Sequence, residues 1–199
     1  MKRYGKIAFV MLCVLIYRPG WAQSTRDKWV VNIPESTSRI SVTEKAFLLE
    51  DTKGKLTNQN ILTPEINKKF NPIGSESLNL GYRKTVYWIK LTLANPNSSP
   101  LPMILEYDTE KAGKTISFYT VDEAGRYKHV NRGKTAAFPQ IVLPVIIGEK
   151  ETTIYARIEN KTYLPLKLLL YSDDAFRQKS ETGYLLFGFT AGIACILII

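Results

Sequence analysis

The chain has 199 residues, 45% of them apolar and 23% charged, with a formal net charge of +9. That is enough for one globular domain of about 150 residues with short flanking segments, and the balance excludes collagen, coiled coil and disorder. Apolar residues crowd the two ends, at 7–17 and 183–199, so the ends read as membrane-related and the middle as soluble.

The chain opens with the basic segment Met1-Lys2-Arg3-Tyr4-Gly5-Lys6, followed by 11 apolar residues over 7–17. Small residues stand at Gly20 and Ala22, the two positions a signal peptidase inspects. This predicts a secretory signal peptide over 1–22. As an uncleaved anchor, 11 residues at about 1.5 Å each would cover only about half of a hydrocarbon core roughly 30 Å thick. Cys13 lies behind Met11 and Leu12 rather than behind small residues, which argues against a lipid anchor.

Four of the 27 basic residues, Lys2, Arg3, Lys6 and Arg18, leave with this leader, so 23 face 18 acidic ones. The remaining cations are scattered, mostly singly, with Lys68-Lys69 and Arg83-Lys84 as isolated pairs, whereas nucleic-acid binding concentrates them on one stripe or arm. No nucleic-acid partner is expected. With Cys13 in the leader and Cys195 in the C-terminal run, the exported part holds no cysteine, which excludes a disulfide framework and thiolate metal sites there. The domain must then be held by its core, as suits a bacterial envelope.

Residues 23–39 are polar apart from Trp29-Val30-Val31 and read as a linker or a first strand. The sandwich is expected over 40–172. A strand over 44–50 runs into the turn Asp51-Thr52-Lys53-Gly54, and 57–62 fits one helical turn capped by Thr57. Phe70, Leu78 and Leu80 are expected in the core.

The clearest signal is 85–94, where Tyr87, Ile89, Leu91 and Leu93 alternate with Val86, Trp88, Lys90 and Thr92. This is the period of two of a strand half buried against a core. Further strands follow at 101–107 and 115–121. The latter turns at Asp122-Glu123-Ala124-Gly125 into 126–130, and strands at 141–147, 151–159 and 164–171 follow. Pro144 and Pro165 place those positions at edges or bends. Many short strands with few helical patterns predict an all-β fold, a jelly roll or β-sandwich.

Ser172-Asp173-Asp174 reads as a helix N-terminus, with carboxylates at the positive end of the dipole, and predicts a juxtamembrane helix over 173–182. The 17 uncharged residues of 183–199 then predict a transmembrane helix. At the helical rise they reach about 26 Å, just short of a bilayer core, which suggests a chain cut in mid-helix. Arg177 and Lys179 on the outer side run against the positive-inside tendency.

The ordered set Leu48-Leu49-Glu50-Asp51, Leu78-Asn79-Leu80-Gly81-Tyr82, Tyr87-Trp88-Ile89-Lys90-Leu91, Asn95-Pro96, Phe118-Tyr119, Gly133, Phe138-Pro139, Tyr155-Ala156-Arg157-Ile158, Leu164-Pro165-Leu166 and Asp174-Ala175-Phe176 resembles the type 2 extracellular domain of bacterial seven-transmembrane receptors with diverse intracellular signalling modules. The similarity covers about 40–199, including Leu186-Phe187-Gly188 at the start of the first membrane helix. The resemblance implies a jelly roll similar to carbohydrate-binding modules, seven membrane helices and a cytoplasmic output such as a histidine kinase or diguanylate cyclase. No such output activity can be carried over to the residues present.

The residues themselves offer little for catalysis. His129 is the sole histidine, it lies mid-strand, and no Gly-x-Ser-x-Gly elbow occurs. No enzyme activity, metal or cofactor is expected. Binding remains. Trp88 and Lys90 share one phase of their strand, and Tyr155 and Arg157 share one phase of theirs. Were the two strands in one sheet, an aromatic and a cation from each would line one face, a set able to stack on a sugar ring and bond its hydroxyls. Trp88, Lys90, Tyr155 and Arg157 are therefore the candidate ligand-binding residues, with packing near a sheet edge as the alternative for Trp88.

The expected function is a sensor domain for a small-molecule or carbohydrate ligand, held in the periplasm at the bacterial inner membrane through 183–199, with a homodimer as a further option. The alternative is a singly anchored glycan-binding envelope protein without signalling output. An envelope hydrolase is a third.

Overall fold

The computed structural model describes residues 29–108, 115–121, 127–130, 141–149, 151–160 and 163–198. The signal peptide expected over 1–22, the turn at 122–125 and the Phe138-Pro139 segment lie outside them. The first strands are β1 (Val30–Asn32), β2 (Arg39–Ser41), β3 (Phe47–Asp51), β4 (Asn71–Pro72) and β5 (Leu78–Tyr82). The long central strand β6 (Thr85–Ala94) precedes β7 (Leu101–Tyr107), β8 (Thr115–Val121) and β9 (Tyr127–Val130). Then come β10 (Ile141–Ile147), β11 (Thr152–Asn160), β12 (Tyr163–Leu166) and β13 (Leu168–Ser172). Among the described residues, three α-helices accompany them: α1 (Asn58–Ile61), α2 (Pro64–Asn67) and α3 (Asp173–Ile198).

Among the described residues, one sheet runs β4-β3-β6-β11-β8-β9, with β1 joined in parallel to the end of β6. A second runs β10-β7-β13-β2, and β12 and β5 form a small third one. Setting aside β6 and the short strands, the chain passes β2, β3, β7, β8, β9, β10, β11, β13 and changes sheet at every step except the β8–β9 hairpin. This is jelly-roll order, β2-β13-β7-β10 facing β3-β11-β8-β9, with β6 inserted between β3 and β11.

Alternation explains the core. Tyr87, Ile89, Leu91 and Leu93 of β6 and Ile154, Ala156 and Ile158 of β11 meet Met103, Leu105 and Tyr107 of β7 and Leu143, Val145 and Ile147 of β10. All are at most 7% exposed, so this layer supplies the main apolar burial. Tyr107 keeps its hydroxyl satisfied by donating to Pro165 O at 2.6 Å, and Thr43 Oγ1 accepts from Leu168 N at 2.8 Å. Val31 and Ile33 join the core, and β1 makes Val30–Asn32 a first strand within the segment 23–39.

Several local expectations are met. Thr57 caps α1 in a reciprocal box with Asn60, and Gly54 takes the left-handed conformation its turn needs, at φ 62°. Pro144 lies on β10, at the edge of its sheet. Two expectations are corrected. The strand expected over 164–171 is two strands in different sheets, because Pro165 sits at a register irregularity and the chain crosses at Lys167. Glu44 and Lys45 belong to a 3-10 turn before β3.

The helix that starts at Asp173 runs on without a break to Ile198, through the boundary at 182/183 between the expected juxtamembrane and membrane segments. Ser172 Oγ accepts from Ala175 N at 3.3 Å, and Asp173 and Asp174 occupy the first turn. Tyr184, Leu185, Leu186 and Phe189 are exposed on it. Among the described residues, no helix is long and apolar enough to cross a membrane.

Candidate functional site

The strands β6 and β11 do pair, antiparallel, with Tyr155 opposite Lys90 and Arg157 opposite Trp88. All four candidate residues therefore lie on the outer face of the seven-stranded sheet, away from the main core. The ladders extend these pairs into rows: Phe47, Lys90, Tyr155 and Tyr119 form one, and Leu49, Trp88, Arg157 and Ser117 the next. A third row, Thr92, Thr153 and Val121, lies on the other side of the first.

The Trp88 row is closed. Segment 56–70, with α1 and α2, folds over it and packs Ile61, Leu62, Ile66 and Phe70 around Leu49, Trp88 and Tyr155. Trp88 is 0% exposed, which decides for packing at this position, though not near a sheet edge as expected, because β6 lies between β3 and β11 inside the sheet. Its Nε1 has no hydrogen-bond partner. Arg157 stands with its guanidinium carbon 6.0 Å from the Trp88 ring centre and pairs with Glu159.

The other two rows lead into an open groove of about 1120 Å³. Lys90 and Tyr155 line it, and both are fixed from α2. Asn67 accepts from Lys90 Nζ at 2.8 Å through its carbonyl and donates through its amide to Tyr155 Oη at 3.3 Å. Phe70 stacks edge-on against Tyr155 with centres 6.1 Å apart. Thr92 and Thr153 share a hydroxyl hydrogen bond at 3.3 Å on the floor. Trp29 and Phe47, in an edge contact at 5.4 Å, make an aromatic wall, while Glu149, Glu151 and the 70% exposed Ile146 lie on the rim. A smaller hollow of about 520 Å³ lies elsewhere, over Thr52–Gly54, Lys84 and Glu159.

Two of the four candidates thus enter the groove, and two are buried or turned to the side of it. Trp29, Phe47, Asn67, Thr92 and Thr153 were not singled out from sequence. The threonines could have been, since they share the phase of Lys90 and Tyr155. Among the described residues there is no group of three or more side chains able to hold a metal.

The match with known proteins fits this architecture. Residues 43–172 carry the sequence pattern described as 7TMR-DISM extracellular 2, from the 3-10 turn before β3 to the last residue of β13. The chain belongs to that family. Its sandwich is accordingly an extracytoplasmic domain of a membrane receptor. No curated protein matches the chain.

Burial sets one further property. It holds the hydroxyls of Tyr87, Tyr107, Tyr155 and Tyr171 above their usual pKa, opposed at Tyr155 by the Asn67 hydrogen bond and at Tyr171 by Lys179. Each binds its proton more tightly folded than unfolded, where the value is about 10. Their contribution to stability is therefore full below about pH 10 and falls as pH rises beyond it. Thermal melts followed by circular dichroism are expected to show a declining midpoint above about pH 10, and a flat midpoint through that range would contradict the burial described.

Proposed function

We propose that this 7TMR-DISM domain is the saccharide-sensing part of a bacterial inner-membrane receptor and that its ligand lies in the groove over β6 and β11. The observation that carries the reading is the groove's make-up. An aromatic wall from Trp29 and Phe47 faces a lysine held in place by Asn67, above a floor of threonine hydroxyls. Flat apolar surface that stacks on a sugar ring, combined with fixed donors and acceptors for its hydroxyls, is the combination such ligands need. The membrane side rests on the uncharged sequence 183–199 and on the exposed Leu185, Leu186 and Phe189 of α3. Leaving each of these in water forgoes about 1.5–3 kcal/mol of burial.

The test is an array of immobilised pentoses, hexoses, amino sugars, uronic acids and their short oligomers, probed with the full chain in detergent. At least one class is expected to be retained, with Trp29→Ala and Lys90→Ala each weakening retention about tenfold or more. Retention of none, or equal retention by both variants, contradicts the proposal.

A further inference from the structure

Glu106 is a carboxylate with 0% exposure on the outer face of the four-stranded sheet. Its neighbours on that face, Val142, Leu169, Tyr171 and Ile104, are apolar or aromatic. Its partner comes from α3. Lys179 Nζ donates to both carboxylate oxygens, at 2.7 and 2.6 Å, and to Tyr171 Oη at 3.3 Å, and stands 5.0 Å from the Tyr171 ring centre. On the other side, Arg39 of β2 stands 5.6 Å from the same ring. Among the described residues, the remaining attachment of α3 is Phe176 and Ala175 on Val142, Leu169 and Tyr171, with Phe176 edge-on to Tyr171 at 5.9 Å.

A pair with one wholly buried member adds little net stability, and apolar residues of similar volume often do as well or better. What it does is make one docked position of the helix far better than its neighbours, because a helix turned or slid out of place would strand a buried carboxylate. The charge also sits where α3 leaves the sandwich, only seven residues into the helix.

We infer that Glu106 and Lys179 form a latch that holds α3 in one orientation against the β7–β13 ladder, so that the sandwich controls the helix through a contact that can open without unfolding either. The docked helix is one state, and a helix released at 173–182 with Lys179 in water is the other. The inference rests on α3 being the way out of the domain, and not on what the groove binds.

Hydrogen exchange followed by mass spectrometry on the full chain in detergent tests it, with wild type, Glu106→Gln, Lys179→Gln and the double variant. Each single substitution is expected to speed exchange of the peptide 173–182 by about ten- to a hundredfold, with peptides from β7 and β13 unchanged. The double variant is expected to be no faster than the faster single one, since both remove the same contact. Lys179→Gln keeps the test open if Glu106→Gln fails to fold, because the lysine is 35% exposed. Unchanged exchange at 173–182, additive effects, or equal loss of protection in β7 and β13 would each overturn the latch.

Discussion

Trp88→Ala is expected to destabilise the domain by about 3 kcal/mol, the lower end of the 3–5 kcal/mol typical of truncating a large buried aromatic. The side chain is wholly buried between Leu49, Ile61 and Phe70, with the Tyr119 ring centre at 6.0 Å. Its removal leaves a cavity on a face that two short helices cover. The figure sits low because the indole N–H has no acceptor, and an unpaired buried donor already costs about 1–3 kcal/mol in the folded state. Trp88→Phe removes that donor while keeping most of the ring, and is expected to cost under about 1.5 kcal/mol. Urea denaturation followed by circular dichroism checks both. A Trp88→Ala curve that overlays wild type would mean the cover over this row is open in solution.

Ile61→Ala is expected to cost about 2–5 kcal/mol, and its consequences reach the groove. Helix α1 has four residues, too few to persist without tertiary contacts, and Ile61, at 0% exposure, is its anchor. Next along the chain is α2, whose Asn67 holds both Lys90 and Tyr155. Loosening the cover should therefore weaken saccharide retention about tenfold, whereas Leu143→Ala in the main core, with a similar stability loss, should leave retention unchanged. Paired with Trp88→Ala, Ile61→Ala should be non-additive by about 0.5–3 kcal/mol, because the two side chains share one cluster. Simple additivity, or retention that falls equally with Leu143→Ala, would contradict this coupling.

What could be read from sequence was what local periodicity encodes. The alternation of Tyr87, Ile89, Leu91 and Leu93 gave the inward face of β6, and the phase of Ile154, Ala156 and Ile158 gave that of β11. Once the strands pair, their outward phases fall into register. Thr57 and Asn60 supplied a cap that local spacing reveals. Packing was one of the two readings open for Trp88, but its complete burial in mid-sheet was not legible in this way. It depends on α1 and α2 folding back over the sheet, and four-residue helices are too short to show a 3.6-residue pattern. Trp29 reaches the groove because β1 joins β6 in parallel some 60 residues away in sequence, a pairing with no local signal. The break at Lys167 was hidden because Leu166 and Leu168 are both inward-facing and buried, which reads as one continuous strand.

The location of the ligand is tested most directly by hydroxyl-radical footprinting of the full chain with and without the saccharide that the array retains. Protection is expected at Trp29, Phe47 and Ile146, which line or rim the groove, with no change at 52–54 and 84–86 around the smaller hollow. Protection confined to the smaller hollow, or none at Trp29 and Phe47 under saturating saccharide, would contradict a binding site on the outer face of β6 and β11.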